Sequence, residues 1–238
     1  MPTQPVLVIQ HTADCPPGRV GDWLTESACT LEVIRPYAGE SLPADLSENA
    51  GLVVLGGEMG AYDDEIAPWL AATRALLAEA VGAGVPTLAI CLGHQLLAVA
   101  TGGRVARSAS GQQGGTLPVG LLPTAAEDPL FGGVPAGAVA THWNNDLVVE
   151  LPPSAVELAR TPAGVQALRL GEGAWGVQFH PEVDLGLVRP WAAADVGSGH
   201  LTPERAETWL AEVANADAAL VATWRPFVHR FAALLPVR

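Results

Sequence analysis

The stretch VPTLAICLGHQLLAVATGG, residues 85–103, changes from a strand-like to a helix-like pattern at Cys91. A residue on a tight strand-to-helix turn projects away from the sheet, and the amide groups that follow it point the same way. The helix N-terminus favours thiolate over thiol, and the N–H of Leu92 can hold an oxyanion. Gly93 removes a side chain where the turn is tightest. A single buried cysteine is most often an inert small hydrophobe, but this corner favours a nucleophile.

Outward from this corner, strand patterns alternate with helix patterns. We predict strands over residues 6–10, 30–37, 51–57 and 86–91, and helices over residues 18–29 and 67–84. This alternation predicts an α/β fold with three layers, in which helices cover both faces of a mostly parallel central sheet. Active sites in such folds lie at the carboxyl ends of the strands, and Cys91 occupies one of these ends.

The pattern changes after residue 104 to short strands separated by turn residues, as far as about residue 179. They predict a smaller antiparallel or mixed β portion, with strands such as LPVGLL (117–122) and AWGVQFH (174–180). From about residue 200 the spacing is helical, with Thr202 as a cap and Pro203 at the first helical position. We expect one domain over residues 1–238, closed by one or two C-terminal helices over about 200–238.

Composition excludes several classes of function. The chain has 238 residues, 49% of them hydrophobic, and a formal net charge of −13 with only 12 Lys and Arg residues. This charge opposes binding to nucleic acid. The three cysteines match neither a zinc site nor a redox pair, and no basic leader or membrane-length apolar run is present. We therefore expect a cytoplasmic protein that binds no membrane, metal or other cofactor.

A base for the cysteine is found in WGVQFHPEV, residues 175–183. His180 ends a strand, and in an extended backbone its side chain and that of Glu182 point to one side. His94 lies one helical step past Cys91 and should point away. The histidines at positions 142, 200 and 229 have no carboxylate at this spacing, and His11 lies in the first loop. His-Pro-Glu alone is a weak signal, because a surface turn explains it equally well.

The combination of CLGHQ (91–95), FHPE (179–182) and an earlier GGEMG (56–60) resembles the class I, triad-type glutamine amidotransferases. Within them, the chain is similar to free-standing proteins related to the glutaminase domain of GMP synthetase, over residues 6 to about 183. The resemblance implies a flavodoxin-like sheet. It also implies that Cys91 is the nucleophile, His180 the general acid and base, and Glu182 its orienting group. Two further roles follow from it: Gly57 would supply an oxyanion amide beside that of Leu92, and Gln95 would help hold the substrate's α-amino-acid end.

Four residues depart from what this resemblance leads us to expect. Glu58 stands in place of a proline, Gln113 in place of a glutamate, and Asn144 and Asn145 in place of a His-Gly pair. These positions are expected to surround the α-amino and carboxylate groups of the substrate or the route to an acceptor. Neutral drift on loops would produce the same differences. The four differences therefore bear on which substrate binds, and they leave Cys91, His180 and Glu182 in place.

Three hypotheses for function remain open at this point. In the first, the chain hydrolyses glutamine through a cysteine-bound γ-glutamyl thioester and releases ammonia for an acceptor on another chain, because the sequence shows no P-loop. In the second, the same residues hydrolyse or transfer the γ-glutamyl group of a peptide or amine. In the third, the chain is a non-catalytic regulatory or binding subunit, which the complete set of three catalytic residue types disfavours.

Overall fold

The computed structural model describes residues 4–236 of the chain. Within that range it contains eleven strands: β1 (Val6–Ile9), β2 (Leu31–Ile34), β3 (Gly51–Val54), β4 (Thr87–Ile90), β5 (Arg104–Arg107), β6 (Gln113–Pro118), β7 (Val139–Asn144), β8 (Asp146–Glu150), β9 (Val156–Thr161), β10 (Gly164–Leu170) and β11 (Ala174–Val177). The α-helices in the same range are α1 (Gly18–Glu26), α2 (Trp69–Ala83), α3 (Leu92–Ala100), α4 (Leu185–Gly197) and α5 (Pro203–Ala233). Short 3₁₀ turns cover Pro36–Ala38 and Pro123–Glu127.

Seven strands form the central sheet, in the order β2-β1-β3-β4-β11-β10-β9. The five strands from β2 to β11 are mutually parallel, whereas β10 and β9 extend the sheet in antiparallel pairing. Strand β5 pairs with β8, and β6 with β7, in two small antiparallel sheets. The predicted mostly parallel sheet with a smaller antiparallel portion is confirmed.

Alternate residues of the central strands pack into two different cores. Along β1, Val6 and Val8 belong to the core under α1 and α5, whereas Leu7 and Ile9 belong to the core under α2 and α3. Side chains of successive strand residues point to opposite faces of a sheet, so a strand that is apolar throughout must be covered on both faces. Helices on both faces are therefore confirmed.

Several element boundaries differ from the predictions. Strand β2 ends at Ile34 because Pro36 begins a 3₁₀ turn, and the strand predicted over 117–122 lies at Gln113–Pro118. The strand predicted over 174–180 is the short β11, which pairs in parallel with β4 and so belongs to the central sheet. Local sequence could not show this, because the partner strand lies far away along the chain.

The C-terminal part is helical, as predicted. Thr202 caps α5 by accepting a hydrogen bond from the Arg205 amide at 3.3 Å, and Pro203 occupies the first turn. Helix α4 was not predicted, although Asp184 caps it through the amide of Leu187 at 3.0 Å. Over residues 4–236, no helix combines the length and the apolar character that a membrane span requires.

Candidate active site

Cys91 forms the corner between β4 and α3. Its backbone has φ 50° and ψ −104°, a sparsely populated conformation that costs a residue with a side chain about 1–3 kcal/mol. Hydrogen bonds on both sides hold it there: the Cys91 amide donates to the Val177 carbonyl at 2.8 Å, and its carbonyl accepts from the Gln95 amide at 3.1 Å. Strain of this kind persists only where the surroundings fix it, and it clusters at functional sites.

The first turn of α3 packs closely on β3. A side chain at Gly93 would collide with the carbonyl oxygen of Val54, so only glycine allows the helix to approach the strand this closely. Leu92 is the first residue of α3, and its amide therefore has no acceptor within the helix. Gly57 lies next to it, since a Cβ on Gly57 would be 2.9 Å from Cδ2 of Leu92. The two predicted oxyanion residues are brought together.

His180 and Glu182 form a buried pair. The ring nitrogen Nδ1 of His180 lies 2.7 Å from Oε1 of Glu182, and the two residues are 4% and 1% exposed. The backbone fixes both: the His180 amide donates to the Thr141 carbonyl at 2.8 Å, and the Arg19 amide donates to the Glu182 carbonyl at 2.9 Å. Burial by itself would lower the pKa of His180, but the charges of Glu182 and Cys91 raise it well above its ordinary value.

Gly56 brings the cysteine and the histidine together. A Cβ on Gly56 would lie 3.2 Å from Cε1 of His180 and 3.6 Å from Cβ of Cys91. The imidazole and the thiol side chain therefore pack on the same glycine, at the end of β3. The Nε2 atom of His180 has no hydrogen-bond partner among residues 4–236, which leaves it available for proton transfer.

A chain of amide side chains lies behind the thiol. Gln178 Nε2 lies 3.5 Å from Sγ of Cys91, and Gln95 Nε2 donates to Oε1 of Gln178 at 3.3 Å and to the Asp146 carbonyl at 3.0 Å. Gln95, expected at the substrate's α-amino-acid end, thus also supports the residue beside the nucleophile. Sequence reasoning missed Gln178, although its position two residues before His180 on an extended segment was a usable signal.

A cavity of about 410 Å³ opens at the thiol. Its walls include most of the predicted site residues, namely Gly57, Glu58, Cys91, Gln95, Asn144, Asn145 and His180. Gln113 does not line it, but its Oε1 accepts from Asn144 Nδ2 at 3.2 Å and so orients that residue. Asn144 is 5% exposed, and its Oδ1 has no partner among the described residues. This atom is a buried acceptor to which no described residue donates.

The cavity is also lined by residues that the sequence did not single out, namely Arg107, Gln112, Trp143, Trp191 and Asp195. They come from β5, β7, α4 and the loop after β5. Their separation along the chain gives no local motif, so only the fold brings them together.

The other buried histidines carry no charge at neutral pH. Burial lowers the pKa of His11 to about 4 and that of His94 to about 3, and burial together with the charge of His180 lowers that of His142 to about 3. His94 packs against Gly176 on β11, away from the cavity. Among buried histidines of residues 4–236, His180 alone has a carboxylate partner. No group of three or more potential metal ligands occurs in that range.

Comparison with known proteins places this geometry in a family. Residues 22–191 match the family described as glutamine amidotransferase class-I. A solved glutamine amidotransferase from Methylobacillus flagellatus is 30% identical and superposes with a TM-score of 0.87, covering 99% of this chain and 96% of that one.

Curated relatives give the same result. One subunit of the glutamine-hydrolysing GMP synthase of Methanopyrus kandleri is 36% identical over 144 residues, which is 59% of this chain and 71% of that protein. The glutamine-hydrolysing GMP synthase of Porphyromonas gingivalis is 34% identical over 150 residues, which cover 62% of this chain but only 28% of the synthase. With the family match extending over most of its length, this chain belongs to the class-I glutamine amidotransferases.

Proposed function

We propose that the chain hydrolyses the side-chain amide of glutamine through a γ-glutamyl thioester on Cys91. The observation that carries this proposal is the buried His180–Glu182 pair beside a cysteine held at positive φ on a strand-to-helix corner. A cysteine, a base and a group that orients the base are the parts that nucleophilic amide cleavage needs. Family membership supports the same chemistry.

The reaction would proceed in two stages. The Cys91 thiolate attacks the amide carbon, a C–S bond forms, and the amides of Leu92 and Gly57 stabilise the oxyanion. His180 gives its proton to the amide nitrogen, the C–N bond breaks, and ammonia leaves. Water, deprotonated by His180, then attacks the thioester and releases glutamate and the thiol. Glu182 holds the ring and stabilises the imidazolium throughout.

The acceptor for ammonia would lie on another chain. One relative is by name a single subunit of a glutamine-hydrolysing synthase, which supports a separate synthetase partner for this protein as well. An alternative function is the cleavage of larger γ-glutamyl amides. The cavity at Cys91 measures about 410 Å³, and pockets that enclose drug-sized ligands measure roughly 300–1,000 Å³. The size of the cavity therefore favours this alternative.

The test measures ammonia and glutamate released from glutamine, together with labelling by a chloroketone analogue of glutamine. We expect Cys91→Ala to abolish both, and Cys29→Ala, at a buried position between α1 and β2, to keep both. Cys15→Ala should also stay active, because burial raises the pKa of the Cys15 thiol and keeps it protonated. Hydrolysis that survives in Cys91→Ala, or a parent protein that neither turns over nor labels, would refute the proposal.

A further inference from the structure

Two indole rings line the cavity on the side of the catalytic base. The ring centroids of Trp191 and His180 are 5.0 Å apart, and those of Trp191 and Trp143 are 6.4 Å apart. Both indoles are fixed by their N–H groups: Trp191 Nε1 donates to the Asp14 carbonyl at 2.9 Å, and Trp143 Nε1 donates to Oδ2 of Asp195 at 2.9 Å. A rigid apolar wall therefore leads away from His180 and ends at a carboxylate.

Asp195 is a carboxylate without a cation. Its Oδ2 accepts from Trp143 and, at 2.8 Å, from Nε2 of Gln112, and within residues 4–236 no lysine, arginine or histidine side chain pairs with it. The residue also lies in the last turn of α4, where the helix carbonyls disfavour negative charge. Neutral donors thus hold the Asp195 carboxylate at a helix end whose carbonyl groups repel it. A cation bound in the cavity would offset that repulsion.

The residues that line the cavity carry an excess of negative charge. The lining contains five carboxylates, on Asp14, Glu58, Asp63, Asp146 and Asp195. Arg107 is the one lysine or arginine among the lining residues, and it already lies 3.7 Å from Asp146. The α-amino-acid end of a γ-glutamyl group brings one ammonium and one carboxylate, so it cannot neutralise this excess.

We propose that the physiological substrate is a γ-glutamyl amide of an alkyl diamine, whose free ammonium binds Asp195 while its methylene chain lies on Trp191 and Trp143. This inference rests on the proposed function. His180 protonates the departing nitrogen, so the leaving group must lie on the His180 side of the cavity, where the indoles are. Ammonia leaving from glutamine would make no use of this wall.

The covalent steps are unchanged. The bond from Cys91 Sγ to the γ-carbon forms, the bond from that carbon to the substituted nitrogen breaks, and the proton of His180 goes to this nitrogen. The diamine leaves with its second nitrogen still protonated, and water converts the thioester to glutamate. Cation–π attraction to the indoles adds to the pairing with Asp195.

The experiment compares three γ-glutamyl monoamides of similar length, which end in an ammonium (from diaminobutane), a methyl (from pentylamine) or a carboxylate (from aminovalerate), with glutamine as reference. We expect kcat/KM to fall in the order ammonium, methyl, carboxylate, with the ammonium amide about tenfold above the methyl one, as one charge-assisted contact at a half-buried site provides. Asp195→Asn should abolish this ratio. Asp22→Asn, the same charge change on the exposed side of α1, should keep it.

A second measurement does not depend on the variant folding. Free diaminobutane should protect Cys91 of the parent protein from the chloroketone more strongly than pentylamine does. Equal protection, a parent ratio near one, or an unchanged ratio in Asp195→Asn would overturn the inference. Cleavage of glutamine with none of the three amides cleaved would overturn it and leave the proposed function standing. Failure of all four substrates together with failure to label Cys91 would remove the proposed function, and the inference with it.

Discussion

Replacing Glu182 by glutamine tests whether the buried carboxylate supports catalysis through His180. The substitution keeps the shape of the side chain and its oxygen 2.7 Å from Nδ1, but removes the negative charge. Because the charge of Glu182 raises the pKa of His180, the variant should lower that pKa and destabilise the imidazolium formed during attack. A hydrogen bond to a charged group contributes about 1.5–3 kcal/mol, so we expect turnover to fall by about 10-fold to about 150-fold.

Glu182→Gln should also lower the free energy of unfolding. Oε2 of Glu182 has no hydrogen-bond partner among the described residues, so the new NH₂ group would take a buried position without an acceptor. An unsatisfied buried donor costs about 1–3 kcal/mol. This is less than the roughly 5–15 kcal/mol by which domains are stable, so the variant should fold, and a urea titration should show the loss.

Turnover, stability and the rate of chloroketone labelling are to be measured on one preparation. Since Cys91 is retained, Glu182→Gln should still be labelled, more slowly than the parent and faster than Cys91→Ala, which should not be labelled at all. Glu172→Gln, at an exposed turn before β11, is the matched control and should behave like the parent. Parental turnover and labelling in Glu182→Gln would show that the histidine works without this carboxylate.

Three further predictions concern packing, pH and metals. Gly56→Ala should lower turnover at least tenfold with little loss of stability, because its Cβ would press on Cε1 of His180 at 3.2 Å; parental kinetics would contradict this. Burial lowers the pKa values of His11, His94 and His142. Below pH ~6.5 the unfolded chain takes up protons at these histidines that the folded protein cannot accept, so stability should fall with falling pH. At pH ~5 each of the three costs about 2 kcal/mol, and His180, whose pKa is raised, offsets a smaller part of this loss. Urea titrations at neutral pH and near pH ~5 measure this, and equal midpoints would contradict it. Turnover should persist in EDTA, since no cluster of potential metal ligands occurs in residues 4–236; loss of activity that zinc restores would contradict this.

The sequence predicts the parts of the fold and site that depend on local patterns. The change of pattern at Cys91 predicts the corner, and the spacing of His180 and Glu182 in an extended segment predicts that their side chains point to one side. In the structure, Nδ1 of His180 lies 2.7 Å from Oε1 of Glu182. Alternating strands and helices likewise predict the central sheet. For the corner and for the His180–Glu182 pair, neighbours in sequence are neighbours in space, so spacing alone carries the information.

The remaining parts depend on contacts between distant segments. Asp195 on α4 meets Trp143 on β7, 52 residues earlier, and Gln112 meets it from a loop 83 residues earlier. No periodicity reports such a contact. For the same reason the sequence does not predict the parallel pairing of β11 with β4. Nor does it predict the role of Gly56, where a Cβ would contact both His180 and Cys91.

The strand β11 explains why nucleophile and base are held in register. Its last residue, Val177, accepts the hydrogen bond from the Cys91 amide at 2.8 Å and so helps fix the strained corner. The chain then continues directly to His180, whose amide is tied to Thr141 at 2.8 Å. One strand end therefore sets both the φ of the cysteine and the place of the imidazole. A displacement of β11 relative to β4 would break this hydrogen bond and shift the imidazole relative to the thiol, so the pairing of these two strands fixes the separation of nucleophile and base.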